Sequence, residues 1–420
     1  MSRTTTAPLD LPPPSATAPG TPPARLEAGT AAYRRANLAL FVGGFATFAM
    51  LYGTQPILPL LSSEFAVSPA RASLSVSAGT GALALALIPA SVLSDRYGRS
   101  RVMNAALALA ALLALAAAFV GSFDQLLVLR ALLGLALAGL PAAAMAWLGE
   151  EIAPNAQGRA MGLYIAGNAL GGMSGRFLAA LLTDFTHWRI GLGVLGVLGL
   201  AAALAFWRWL PASRHFQARA ATPRRILGDV AAIYRDAGLP WLFLTAFVIM
   251  GAFVGLYNYL GFRLHDAPFG LGQTAIGAVF LLYLVGTFAS AWAGRLADRI
   301  GRHNVLWIMT LVMAAGLALT VSDHLPVLIM GVGIFTFGYF ATHTAASSWV
   351  GKRAGERRAL AAALYLCSYY FGSSVLGTLG GFAWSAGRWP GMVAMLLACT
   401  AAAFAVALYL RRLGSAAAEG

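Results

Sequence analysis

What most limits the folds open to this chain is the recurrence of long apolar stretches. They follow one another at roughly 37–61, 72–93, 102–121, 126–147, 160–182, 189–210, 241–262, 273–295, 304–321, 326–349, 360–384 and 389–410. A helix that crosses a bilayer core needs about 20 such residues. Only helices and closed barrels satisfy their own backbone polar groups there. The chain is 59% hydrophobic and 10% charged, whereas a soluble domain carries roughly a quarter charged residues. The expectation is an all-α polytopic membrane protein with twelve transmembrane helices.

The spans divide into two related sets. Residues 91–101 read S-V-L-S-D-R-Y-G-R-S-R and residues 294–304 read G-R-L-A-D-R-I-G-R-H-N, which puts Asp95 and Asp298 203 positions apart. Tyr164, Gly167, Gly172 and Gly175 match Tyr369, Gly372, Gly377 and Gly380 at an offset of 205. Trp147 and Gly149 match Trp349 and Gly351 at 202. Repeats of this kind mark transporters built from two bundles around a site near the midplane.

Net charge is +14, and its placement matters more than its size. Lys and Arg crowd the loops on one side, in runs such as Arg96, Arg99 and Arg101, Arg214 to Arg235, Arg299 and Arg302, and Lys352 to Arg358. The other side carries only Arg71, Arg189, Arg263 and Arg388. By the positive-inside rule both termini are cytoplasmic. The charge is therefore a topology signal with lipid headgroup contact, not a nucleic-acid footprint. Residues 1–35 are rich in Pro, Ala and Thr and read as a disordered tail. They hold no early apolar segment, so a cleaved signal peptide is not expected. The expected layout is a bundle over 36–210, a cytoplasmic linker over 211–238, a second bundle over 239–412 and a short tail over 413–420. Cys367 and Cys399 both fall in spans and imply no disulfide framework.

These features resemble the major facilitator superfamily over residues 36–412, with the likeness strongest to its bacterial YnfM-type and drug:proton antiporter branch. The family's loop motif G-x-L-A-D-R-x-G-R is matched by Gly294, Leu296, Ala297, Asp298, Arg299, Gly301 and Arg302. In the first half Leu93, Asp95, Arg96, Gly98 and Arg99 fit, with Ser91 and Ser94 at two small-residue positions. Tyr52, Gln55, Pro56 and Pro59 of span one and the G-G-M-S-G-R run at 171–176 add to the likeness. The resemblance implies two six-helix bundles that rock about a central cavity lined by spans one, four, seven and ten. It also implies a conformational latch at Asp95, Arg96, Gly98 and Arg99 and at Asp298, Arg299, Gly301 and Arg302. Gly98 and Gly301 permit the tight turns this requires.

Arg130, in R-x-x-x-G with Gly134, resembles the motif whose arginine couples protons in antiporters. The plainer alternative is a side chain that snorkels to the nearer membrane face. Gly167, Gly171 and Gly175, four apart, suit close helix packing and resemble the antiporter motif, although Gly172 stands where that motif has proline. Arg176 either binds an anionic group of the substrate or pairs with Asp184. Tyr52, Gln55, Asn168, Asn258 and Tyr259 are candidates for the substrate cavity, and His343 is a candidate proton carrier because imidazole titrates nearest neutrality. No Asp or Glu lies deep in a span.

No P-loop appears, so direct use of ATP is not expected, and the scattered histidines and cysteines offer no metal site. The chain reads as a transporter and not an enzyme. It is expected to work as a monomer in the bacterial inner membrane, with no cofactor and the proton as coupling ion. Proton-coupled efflux of a small organic molecule is the favoured function. Uptake or facilitated passage of an anionic metabolite is the alternative, and a non-transporting sensor or scaffold is the reading from another class.

Overall fold

A computed structural model describes residues 25–216 and 223–416. Span one comprises α1 (Ala31–Tyr52), a 3-10 turn (Gln55–Ile57) and α2 (Leu58–Glu64). Span two is α3 (Pro69–Tyr97) and span three is α4 (Arg99–Ala116). Span four joins α5 (Phe123–Leu137) to α6 (Gly139–Glu151). Spans five and six are α7 (Pro154–Phe185) and α8 (Trp188–Trp209). After α9 (Pro223–Tyr234) in the linker, span seven is α10 (Leu239–His265). Span eight runs from α11 (Gln273–Ala278) through a 3-10 turn (Val279–Leu282) into α12 (Tyr283–Ile300). Spans nine and ten are α13 (Arg302–Leu319) and α14 (Leu325–Arg353). α15 (Arg358–Ala416) holds spans eleven and twelve, divided at Gly387 and Arg388, where the backbone leaves helical geometry.

By length and composition alone, ten helical stretches among the described residues could each cross a membrane. That count agrees with twelve spans. The continuous stretch Gly355–Leu413 holds two of them. α7 is long enough at 32 residues but is diluted by glycine, Asn168 and Arg176.

The helix starts follow local chemistry. Thr30, Ser68 and Ser122 accept hydrogen bonds from backbone N–H groups three residues on, at 3.2, 3.2 and 3.3 Å, which satisfies donors that a helix start leaves free. Pro69 and Pro154 sit where a missing N–H costs nothing. Gly98 (φ +100°) and Gly301 (φ +84°) make the turns between spans two and three and between spans eight and nine. Side chains rarely tolerate that backbone region.

The described chain ends lie on one face, called here the tail face. Leu26 donates its N–H to the Glu151 carbonyl (2.8 Å) and accepts from Ala153 (3.0 Å), beside the end of span four. At the other terminus Arg411 lies over the Trp307 ring of span nine. The expected tail over 1–35 is therefore too long at its C-terminal end, because these bonds and the Thr30 cap order the chain ahead of α1. Residues 1–24 lie outside the described residues. At the other end the helix continues to Ala416, and the remainder of the 413–420 segment is outside them too.

The linker is tied to both halves. The buried Glu151 carboxylate accepts from the backbone N–H groups of Arg214 (2.7 Å) and His215 (2.8 Å). α9 belongs to the second half. Its Ile233 joins the core formed with Leu242, Phe243, Leu306 and Val406. Asp229 pairs with Arg357 at 2.9 Å, and just beyond the helix Asp236 pairs with Arg353 at 2.5 Å. The two halves meet where span two packs on span eleven and span five on span eight.

A buried polar centre between the halves

Span one breaks after Tyr52. Gly53 and Thr54 turn, and Pro56 has no N–H to return to the Tyr52 carbonyl. The last turn of α1 thus ends inside the protein, with carbonyls that need donors. Arg130 of span four supplies them. Its Nη1 donates to the Met50 carbonyl at 2.8 Å, its Nη2 to the Leu51 carbonyl, and its Nε to the Ser75 carbonyl of span two at 2.8 Å. The side chain is only 3% exposed. The snorkelling alternative is thereby corrected, since the guanidinium is consumed by buried backbone and does not reach a membrane face. Gly134, one turn on, lets span four lie against the backbone of Gly79.

Arg176 stands at the centre. It is 2% exposed, and no carboxylate among the described residues pairs with it. Nε donates to Gln55 Oε1 at 2.5 Å and Nη1 to the Gly172 carbonyl at 2.6 Å. The guanidinium lies 4.0 Å from the ring centre of Tyr52, 5.0 Å from Tyr283 and 5.4 Å from Phe280. Aromatic faces stabilise a cation in this arrangement. Gln55 Nε2 in turn donates to Asn258 Oδ1 at 2.8 Å. Gln55 and Asn258 are 203 residues apart, the same separation as Asp95 and Asp298, so they are equivalent positions of the two halves joined to each other.

The Arg176–Asp184 pairing weighed from sequence does not form. Asp184 sits in the last turn of α7, past the apolar stretch of span five, and caps the start of span eight instead. It accepts from Gln273 N (3.2 Å), Thr274 N (3.1 Å) and Thr274 Oγ1 (2.6 Å). The Thr274 hydroxyl and N–H groups hold its carboxyl below the usual carboxylate range. Further bonds join the halves on this same far face. Gln273 Nε2 donates to the Pro56 carbonyl at 2.5 Å, Ser374 Oγ to the Ser77 carbonyl at 2.9 Å and Thr378 Oγ1 to Ser77 Oγ at 2.8 Å. The molecule is therefore clasped on the face away from its termini.

Other candidates lie apart from Arg176. Tyr259 is fully buried against Trp384 and Phe262, beside Gly380 and Gly381 of span eleven. Asn168 packs beside Gly44, two turns along span five. Gly167, Gly171 and Gly175 lie on the backbone of Phe41, Phe45 and Ala49, where any Cβ would collide. His343 Nδ1 lies 3.0 Å from the Tyr365 hydroxyl. A column of rings, Tyr283, Phe253 and Tyr339, leads from Arg176 to His343 and Tyr369.

The two loop motifs differ on the tail face. Arg99, with its side chain 8% exposed, bonds Asp95 at 2.7 Å and forks onto Glu150 at 2.8–2.9 Å. Arg302 lies 3.6 Å from Asp298, whose side chain is 74% exposed, and otherwise donates to Ser348 Oγ at 3.1 Å. Arg96 stacks on Tyr97, and Arg299 is exposed. Sequence reasoning missed Tyr283, Phe280 and Gln273, which stand out in no pattern. The Gln55–Asn258 pair was discoverable from the repeat offset.

Two helical bundles that clasp on one face and share a buried polar centre define a multi-pass membrane transporter. A family model described as Major Facilitator Superfamily matches residues 40–292 and 264–419. The inner membrane transport protein YnfM of Escherichia coli (strain K12) is 44% identical over 415 residues, covering 98% of this chain and 99% of that protein. The uncharacterized MFS-type transporter YybF of Bacillus subtilis (strain 168) is 42% identical over 384 residues, covering 91% and 95%. Among solved structures, a bacterial homolog of the human lysosomal transporter Spinster, inward-facing and unoccupied, superposes with a TM-score of 0.77 at 16% identity, covering 90% of this chain and 98% of that one. The chain belongs to the Major Facilitator Superfamily, and it is a transporter and not an enzyme.

Proposed function

We propose that this transporter exports a small organic molecule across the bacterial inner membrane by alternating access, driven by protons. It acts as a monomer with both termini in the cytoplasm and no cofactor. The observation that carries the reading is Arg176, buried between the halves beside equivalent residues of both. A site on the axis of two rocking bundles is one that both faces can reach in turn. The arginine distribution supports a cytoplasmic tail face, and the far-face clasp then corresponds to a state closed to the outside. Proton coupling is assigned to His343 and its tyrosine partners, since Arg130 is already consumed in holding span one. Asp95, Arg99 and Glu150 brace the tail-face ends of spans two, three and four as one unit during rocking.

Purified protein in liposomes with an internal pH dye tests this. Organic cations, neutral amphiphiles and organic anions are added in turn under a proton gradient. The expected result is proton flux with at least one class, and its loss in His343→Gln while cargo still moves. Undiminished proton flux in His343→Gln removes the histidine from coupling. Movement without any proton flux makes the protein a facilitator. The second reading, passage of an anionic metabolite, is favoured by the missing carboxylate beside Arg176 and predicts that only the anions respond.

A further inference from the structure

We propose that the cargo is a small organic anion, a carboxylate on an aromatic or apolar body, whose oxygens take the place of Gln55 Oε1 on Arg176 and so release the Gln55–Asn258 bridge between the halves. This deepens the transporter reading and rests on it.

Three observations converge. First, Arg176 carries its charge into the interior with only neutral acceptors, Gln55 Oε1 and the Gly172 carbonyl. A buried charge without a counter-charge is costly. The planar guanidinium fork matches a carboxylate better than an amide. Second, the Tyr52 hydroxyl, the Tyr283 hydroxyl and Asn258 Nδ2 are buried with no hydrogen-bond partner among the described residues. Both tyrosine rings face the guanidinium, and Asn258 is one bond removed from it. Each can donate, so the surroundings of the cation call for a ligand rich in acceptors. A cationic cargo would meet a positive charge with no acid to offset it. Third, the Gln55 amide is held at both ends, by Arg176 at Oε1 and by Asn258 at Nε2. A ligand oxygen that occupies Nε of Arg176 removes one of those holds. The bond on the repeat axis then depends on whether the site is filled.

The test uses benzoate and phenylacetate as probes, with benzamide and benzylamine as uncharged and cationic counterparts. Thermal unfolding of the detergent-solubilised protein is followed against probe concentration. Both carboxylates are expected to raise the unfolding midpoint of the wild type, while benzamide and benzylamine leave it unchanged. Arg176→Gln loses the response. Gln55→Glu also loses it, because its own carboxylate holds Arg176, yet this variant unfolds no earlier than the wild type. That keeps the test meaningful should Arg176→Gln fold poorly. Gln55→Ala keeps the response at equal or lower concentration. A carboxylate response that survives in Gln55→Glu overturns the proposal. A wild-type response to benzylamine alone, or to none of the probes, does so as well. Liposome flux separates this from the broader reading. Proton movement with benzylamine and none with either carboxylate leaves transport standing and removes the anion. An Arg176-dependent midpoint shift without any flux leaves the anion site and removes coupled transport.

Discussion

Spans one and seven are equivalent in the repeat but are built differently. Span seven runs unbroken through α10 for 27 residues, with Tyr259 at the position that corresponds to Pro56. Span one stops at Tyr52, turns, and resumes. The helix that breaks is the one served by an arginine from its neighbour, and in span ten Gly333 stands at the position that corresponds to Arg130 at the offset of 203. An intramembrane charge can thus be part of a helix end, supplying the donors that water would give in a soluble protein. The break also brings Gln55 onto Arg176. The two halves share a plan, and the first half carries the buried intramembrane arginines, Arg130 and Arg176.

The comparison can be broken most severely by moving the proline. Tyr259→Pro puts a break into span seven with no arginine to serve it. A helix-interior proline costs about 3 kcal/mol or more and the lost buried ring adds to that, so little folded protein is expected on size exclusion in detergent. Next comes Arg130→Leu, which strips donors from three buried carbonyls and should cost about 3 kcal/mol in thermal unfolding. Pro56→Ala in the same chain lets the Tyr52 carbonyl regain a donor. The double variant should recover about 1 kcal/mol of that loss, and strict additivity would detach Arg130 from the break.

The loop motifs offer a milder version of the same test. Trp147 and Trp349 align Glu150 with Lys352, so the half with the closed Asp95–Arg99–Glu150 group faces a half with lysine in that place. Lys352→Glu should give Arg302 a second carboxylate beside Asp298 and raise stability by less than about 1 kcal/mol, since the site is exposed. A decrease in the unfolding midpoint would mean that the asymmetry is itself required. The smallest effect belongs to Asp184. Its folded pKa lies below its unfolded value, so its contribution is complete above the unfolded pKa and fades as pH falls through the folded one. Between pH 7 and pH 5 the population of short distances between spin labels attached to cysteines placed at Asp184's neighbours Thr183 and Gly272 should not change. A loss below about pH 4 is expected in the wild type and not in Asp184→Asn.

Much of the architecture was legible because hydrophobic length and arginine placement are properties of the chain itself. The repeat announced two halves, and Gly98 and Gly301 announced their turns. α7 was recognisable as a span although polar residues dilute it, because its glycines keep the spacing that packing demands. The site was legible only in part. Arg130 and Arg176 stand out as membrane charges, but what each one touches depends on how spans one, two, five and eight are placed, which no local pattern records. Asp184 looked like a partner for the arginine two turns away. It serves the start of a helix from the other half, a contact almost ninety positions distant. Tyr283 and Phe280 are ordinary residues of an apolar run until the fold sets them against a guanidinium.

The way the linker is fastened limits how the protein can move. One end is held to the first half at His215 through Glu151, and α9 is held to the second half through Ile233, Asp229 and Asp236. From His215 to Arg224, in the first turn of α9, the chain runs nine residue steps. Nine residue steps of at most about 3.5 Å give a reach of roughly 30 Å. However far the bundles tilt on the tail face, these two anchors cannot part by more than that, so the stroke of the carrier has an upper bound set by chain length alone.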